Sequence, residues 1–228
     1  MGIRRVITAL WRLAIAALCF AGTYEGWTAA NKWVYFTFQT SLVLGIVMLW
    51  AGAATLLDGV QPPAWLKGCV TMYTIIVAVV AYALLAPSDP ATTPHILGIM
   101  TTTMVHRLAP VMAVVDFLLA DEHRRFRWHY TLSWLAYFPV YLAFVLIRGW
   151  LWPHSGPEPG GSPYPYFFVD LPKIGWAQMG VNIVVYLGAF FVLALVLFLV
   201  DRILPARPLM AGGKGGKGSR PRGAKAKG

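Results

Sequence analysis

An all-α, polytopic membrane fold, a bundle of six transmembrane helices with both termini cytoplasmic, is predicted by three observations. The 228-residue chain is 58% hydrophobic and only 12% charged, too apolar for an ordinary soluble domain. Its apolar residues gather into six runs of membrane length, about 6–25, 34–57, 66–86, 96–119, 131–149 and 176–202. Basic residues flanking these runs are asymmetric. Arg4, Arg5, Lys67, Arg124, Arg125, Arg127 and the stretch after Arg202 fall on one side, against Lys32, Arg148 and Lys173 on the other. The richer side is predicted to face the cytoplasm, in a cytoplasmic (plasma) membrane.

The first run follows Arg4 and Arg5 as a signal peptide would. Leu18 before Cys19 and the lack of a small-x-small cleavage site predict that it is retained as a span. Asp58 to Pro63 breaks the chain before span three, and Pro87-Ser88-Asp89-Pro90 breaks it before span four. Thr93 is predicted as the N-cap of span four, with Pro94 at its first helical position. The connection from Trp150 to Gly175 carries six prolines, Pro153, Pro157, Pro159, Pro163, Pro165 and Pro172, and its length suits a lid folded over one end. Trp27, Trp33, Tyr35, Trp150, Trp152, Tyr164, Tyr166 and Trp176 gather at the outer surface as an aromatic belt.

Residues 1–205 form the membrane domain and 206–228 a basic tail predicted to be disordered. Six of the 19 Lys and Arg residues lie after Pro208. That tail suits anionic lipid headgroups. Nucleic acid is a poor fit, because no aromatic residue is interleaved for stacking. Cys19 and Cys69 sit in apolar runs without metal-ligand spacing, so neither a disulfide framework nor a metal site is predicted. A bis-histidine haem would need a second deep histidine, so no cofactor is expected.

Chemistry is sought where polar groups enter the membrane. His106 and Arg107 lie near the middle of the fourth run, and Thr102, Thr103, His106 and Pro110 share a helical face. Arg107 points about 100° further round. Span two opens with Thr37, Gln39, Thr40 and Ser41, of which Thr37 and Ser41 share a face. Both helices enter from the outer side, so a hydroxyl of Thr37 beside the His106 imidazole is topologically allowed. That pair is the minimum for nucleophilic acyl transfer. The competing reading is structural: hydroxyls bonded to carbonyls one turn back, and His106 as interhelical glue. Asn182 in span six is read as glue or an oxyanion donor, Tyr164 and Tyr166 as interfacial anchors or entrance contacts, Asp116 as reaching the headgroups, and Glu25 as a partner for Arg107.

Three motifs together carry a resemblance: Tyr35-Phe36-Thr37-Phe38-Gln39-Thr40-Ser41-Leu42, His106-x-x-x-Pro110, and Tyr164-Pro165-Tyr166-Phe167-Phe168, followed by a last span with Asn182. In order and placement, over residues 6–202, they resemble the bacterial Pr6Pr family of membrane proteins. That family is similar in turn to the androgen-induced and androgen-dependent six-span threonine hydrolases of fatty acid esters of hydroxy fatty acids. The resemblance implies a lipid-ester hydrolase with Thr37 as nucleophile and His106 as base. Gln39, Ser41, Asn182 and Tyr166 would be substrate contacts or supporting residues; Arg107, where relatives often carry threonine, departs from the pattern and is suited either to disturbing a neutral imidazole base or to binding a substrate carboxylate. The implied partners are membrane lipids and a lipid-ester substrate. The alternative is a non-catalytic membrane protein, a small transporter or lipid-binding component, in which the same residues form a polar cluster.

Overall fold

The computed structural model describes residues 2–158 and 160–210. Six helical segments are long and apolar enough to cross a membrane, so the chain is a multi-pass membrane protein whose described termini lie on the same side. They are α1 (Ile3–Gly22), α3 (Phe36–Leu57), α4 (Ala64–Leu84), the composite Thr101–Ala120, the composite Tyr130–Leu151, and α9 (Leu171–Ile203). A short helix, α2 (Tyr24–Thr28), joins the first two.

α1, α3, α4 and the fourth span form one packed group around Ile15, Leu44, Met48 and Ala113. The last two spans close a second cluster against α3 and α4, built on Phe36, Met72, Tyr73, Trp134 and Phe138. Glycine permits the closest crossing. A Cβ on Gly22 would overlap the Val105 side chain, so α1 reaches the fourth span only because residue 22 has none.

Span four departs from its predicted start. Residues 95–100 form a two-stranded hairpin, β1 (His95–Ile96) with β2 (Ile99–Met100), His95 facing Met100 and Ile96 facing Ile99. Its two-residue turn is Leu97-Gly98, with φ of 52° and 77°, as a primed turn requires. Thr93 and Pro94 therefore cap no helix, and the Pro94 carbonyl instead accepts the Thr101 N–H at 2.9 Å. The continuous apolar run conceals this hairpin, whose strands are two residues each.

The helix proper begins with α5 (Thr101–Thr103), widens into a π-turn at Met104–Leu108, and continues as α6 (Ala109–Ala120). Pro110 supplies a reason. It has no N–H for the His106 carbonyl, and its ring would clash with that carbonyl in a regular α-turn. The Ala109 N–H bonds the Met104 carbonyl, five residues back, which opens the helix and spares the clash.

Span five starts as α7 (Tyr130–Ser133), tightens into a 3₁₀ turn at Trp134–Ala136 and runs on as α8 (Tyr137–Leu151). In α9 the helix is broken at Gly175, whose φ of 72° and ψ of 168° separate a short first turn, 171–174, from the spanning part. Residues 206–210 correct the tail prediction: the His123 N–H reaches the Ala206 carbonyl at 3.2 Å, and the Met210 N–H reaches the Leu119 carbonyl at 2.8 Å. Proline-rich extended chain leaves backbone groups free to pair with the end of α6 and the residues just after it. The rest of the predicted disordered tail, 211–228, lies outside the described residues.

Candidate active site

The late start of span four decides the depth of the site. Five residues fewer of helix bring His106 about 7 Å nearer the outer end, at ~1.5 Å per residue. Thr37, second residue of α3, then meets it: Thr37 Oγ1 lies 3.3 Å from His106 Nε2. The Thr102 carbonyl is the other polar neighbour of the ring. A proton shared with that carbonyl leaves Nε2 free to accept from the threonine.

The start of α3 is held from the neighbouring helix. Tyr141 of α8 accepts the Phe36 N–H at 3.1 Å and donates to the Val34 carbonyl at 2.8 Å. Thr37 follows directly, so its own N–H has no carbonyl one turn behind it, and the positive end of the helix dipole lies at its side chain.

On its other side Thr37 lines a cavity of about 350 Å³ between α3, α4, α8 and α9. Phe36, Val77, Val80, Phe138, Leu142, Leu187 and Phe190 give it an apolar wall, while Tyr141, Tyr166 and Asn182 add polar groups. His106 is not on that wall; Thr37 is the residue common to the cavity and the imidazole.

The long loop folds over this end. Lys32 Nζ pairs with Glu158 at 2.6 Å, Tyr35 donates to the same carboxylate at 3.0 Å, and Arg148 holds the Ser155 carbonyl and Asn31 Oδ1 at 2.5 and 2.9 Å. Burial and the facing Glu158 carboxylate both push the Tyr35 phenol above its ordinary value, so it stays a donor in this tie. Next to the tie, Tyr164 packs over Gly149 and Tyr166 reaches the cavity. Tyr164 and Tyr166 are therefore buried, 9% and 8% exposed, and are not interfacial anchors. Pro165 between them keeps the chain extended, and both rings turn inward.

The remaining predicted residues divide. Asn182 lines the cavity and donates to the Phe168 carbonyl at 2.9 Å, holding the turn that follows Tyr166. Gln39 is turned away: it donates to the Trp33 carbonyl at 2.7 Å and accepts from Tyr137. Ser41 is buried one turn below Thr37 but off the cavity wall. Arg107 is exposed on the outside of the π-turn and makes no hydrogen bond or ion pair among the described residues. Its predicted partner Glu25 faces Lys32 instead, at 3.9 Å.

Asp116 also differs from expectation. It does not reach headgroups: it is 1% exposed, paired with Arg12 at 2.8 Å and Lys67 at 2.5 Å. Asp121 joins the same node, 2.8 Å from Arg12 and 3.2 Å from Lys67, and Thr55 and Gln61 accept from Arg12 at 3.0 Å each. Two cations, from α1 and α4, and two carboxylates, both from the end of the fourth span, neutralise one another, which is why they tolerate the interior.

No family model matches the chain, and neither a curated protein nor a solved structure does.

Proposed function

We propose that this protein hydrolyses a lipid ester within the membrane, with Thr37 as nucleophile and His106 as general base and acid. One observation carries the reading: the Thr37 hydroxyl lies 3.3 Å from His106 Nε2 at the wall of an apolar cavity of about 350 Å³. A hydroxyl activated by an imidazole is suited to attack an acyl carbon, and the apolar wall is suited to a fatty acyl chain. The resemblance drawn from the three short motifs points the same way.

In the first step the Thr37 oxygen bonds to the ester carbonyl carbon while its proton passes to His106 Nε2. Collapse of the tetrahedral adduct breaks the bond to the alcohol, which leaves with that proton. Water then attacks the acyl-threonine, again giving its proton to His106, and the acid departs as the Thr37 hydroxyl is restored. The overlying loop keeps bulk water from the acyl chain. The cytoplasmic membrane, with the basic tail against anionic headgroups, is the setting this reading adopts from the charge asymmetry.

The test is hydrolysis of fluorogenic fatty acyl esters by purified protein in lipid nanodiscs. Turnover by the wild type that disappears in Thr37→Ala and in His106→Ala is the expected result. Equal rates in all three proteins would contradict the proposal, and fatty acid binding without any turnover would favour the non-catalytic reading.

A further inference from the structure

We propose that the Tyr166 hydroxyl and the Thr37 amide form the oxyanion hole of this site, an inference that rests on the ester-hydrolysis reading. Tyr166 comes from the loop rather than a span, yet its hydroxyl faces the Thr37 side chain, the Phe36 and Thr37 amides and the Tyr141 hydroxyl. It therefore occupies the electropositive mouth of α3, beside the attacking oxygen and on the cavity wall.

The neighbours differ in what they have left to give. Tyr141 already donates to the Val34 carbonyl, and the Phe36 amide already donates to Tyr141. The Tyr166 O–H donates to no acceptor among the described residues, and the Thr37 N–H reaches no carbonyl and faces the Tyr166 oxygen instead. Burial holds the Tyr166 phenol above its ordinary value, so it remains a neutral donor. Its ring is also fixed. It stacks on Phe168 at 5.0 Å with planes 4° apart and meets Tyr35 edge to face at 5.6 Å, while Asn182 secures the Phe168 carbonyl. Donors fixed before the reaction are the ones that stabilise a developing charge most.

As the Thr37 oxygen adds to the carbonyl carbon, the π electron pair moves onto the carbonyl oxygen. That oxyanion accepts from Tyr166 O–H and Thr37 N–H, and no proton is transferred to it. When the carbonyl re-forms, the pair returns, the bond to the alcohol breaks, and the alcohol takes its proton from His106. Use of the nucleophile's own amide is what serine hydrolases also do.

The experiment compares wild type, Tyr166→Phe and a protein carrying 3,5-difluorotyrosine at position 166, in nanodiscs with a fluorogenic fatty acyl ester. Tyr166→Phe should keep the wild-type melting temperature and KM but lose at least about 100-fold in kcat. Difluorotyrosine, which keeps the shape but is more acidic, should move the alkaline limb of the kcat profile to lower pH. Wild-type turnover with Tyr166→Phe within about threefold of it would overturn the oxyanion assignment and leave ester hydrolysis standing. An unmoved alkaline limb in the fluorinated protein would overturn it as well, even if Tyr166→Phe failed to fold. No turnover by the wild type would overturn both.

Discussion

The chemistry proposed for Thr37 depends on position more than on identity. It is the second residue of α3, so its amide lacks an intrahelical partner, and its hydroxyl meets His106 at 3.3 Å. A hydroxyl is what the proposal needs, so Thr37→Ser should retain measurable turnover while Thr37→Ala loses at least about 10³-fold in kcat, measured with the fluorogenic ester. Ala143 lines the cavity, and Ala143→Trp should fill it, lowering kcat/KM for long-chain esters far more than for acetyl esters. His106 was legible in the sequence because an ionisable group inside an apolar run is rare, and Thr37 because a motif surrounds it. Tyr141 was not. A tyrosine in an apolar span looks like packing, and only the folded arrangement aims its hydroxyl at the first amide of α3. Tyr166 was legible as a residue of interest but not as a buried one, because a Pro-Tyr-Pro-Tyr loop reads equally well as an interfacial belt.

At the scale of elements, the fourth span carries the largest difference from expectation. Its hydrophobicity continues through the hairpin, so the sequence offers no visible start at Thr101. Leu97 is the marginal residue of that hairpin, 96% exposed with φ of 52°. Asparagine suits such a turn better, and Leu97→Asn should raise the melting temperature, by about 0.5–1 kcal/mol of stability, without changing kcat. The π-turn is partly legible from Pro110, which cannot sit in a regular helix without disturbing the His106 carbonyl. Its consequence is that Met104–Leu108 holds His106 toward Thr37 and Arg107 outward. Gly22 holds α1 against this turn at Val105. Gly22→Leu should therefore lower both the melting temperature and kcat, read by thermal unfolding and by the ester assay on the same preparation.

Across the whole molecule, the two ends of the bundle are held by different means. The outer end, with the candidate site, is closed by a loop tied through Lys32, Glu158 and Arg148. The opposite end is fixed by the node of Arg12, Lys67, Asp116 and Asp121, which joins α1, α4 and the fourth span. Asp116→Asn would leave two cations facing one carboxylate in the interior, and should cost about 3–5 kcal/mol of stability in a thermal unfolding experiment. Span count and approximate span limits could be read from hydropathy, since each run must match the same hydrocarbon thickness. The node could not, because its charges lie far apart in the chain and each one alone resembles a topology signal or a headgroup contact. The same holds for the cavity, whose wall is assembled from four helices and the loop. The central claim is that Thr37 is a nucleophile activated by His106. Its most direct test is to treat the protein with a lipid-like fluorophosphonate and map the adduct by peptide mass spectrometry. The account predicts phosphonylation of Thr37 that is lost in His106→Ala; an adduct on Ser41 or another residue, or labelling that persists in Thr37→Ala, would contradict it.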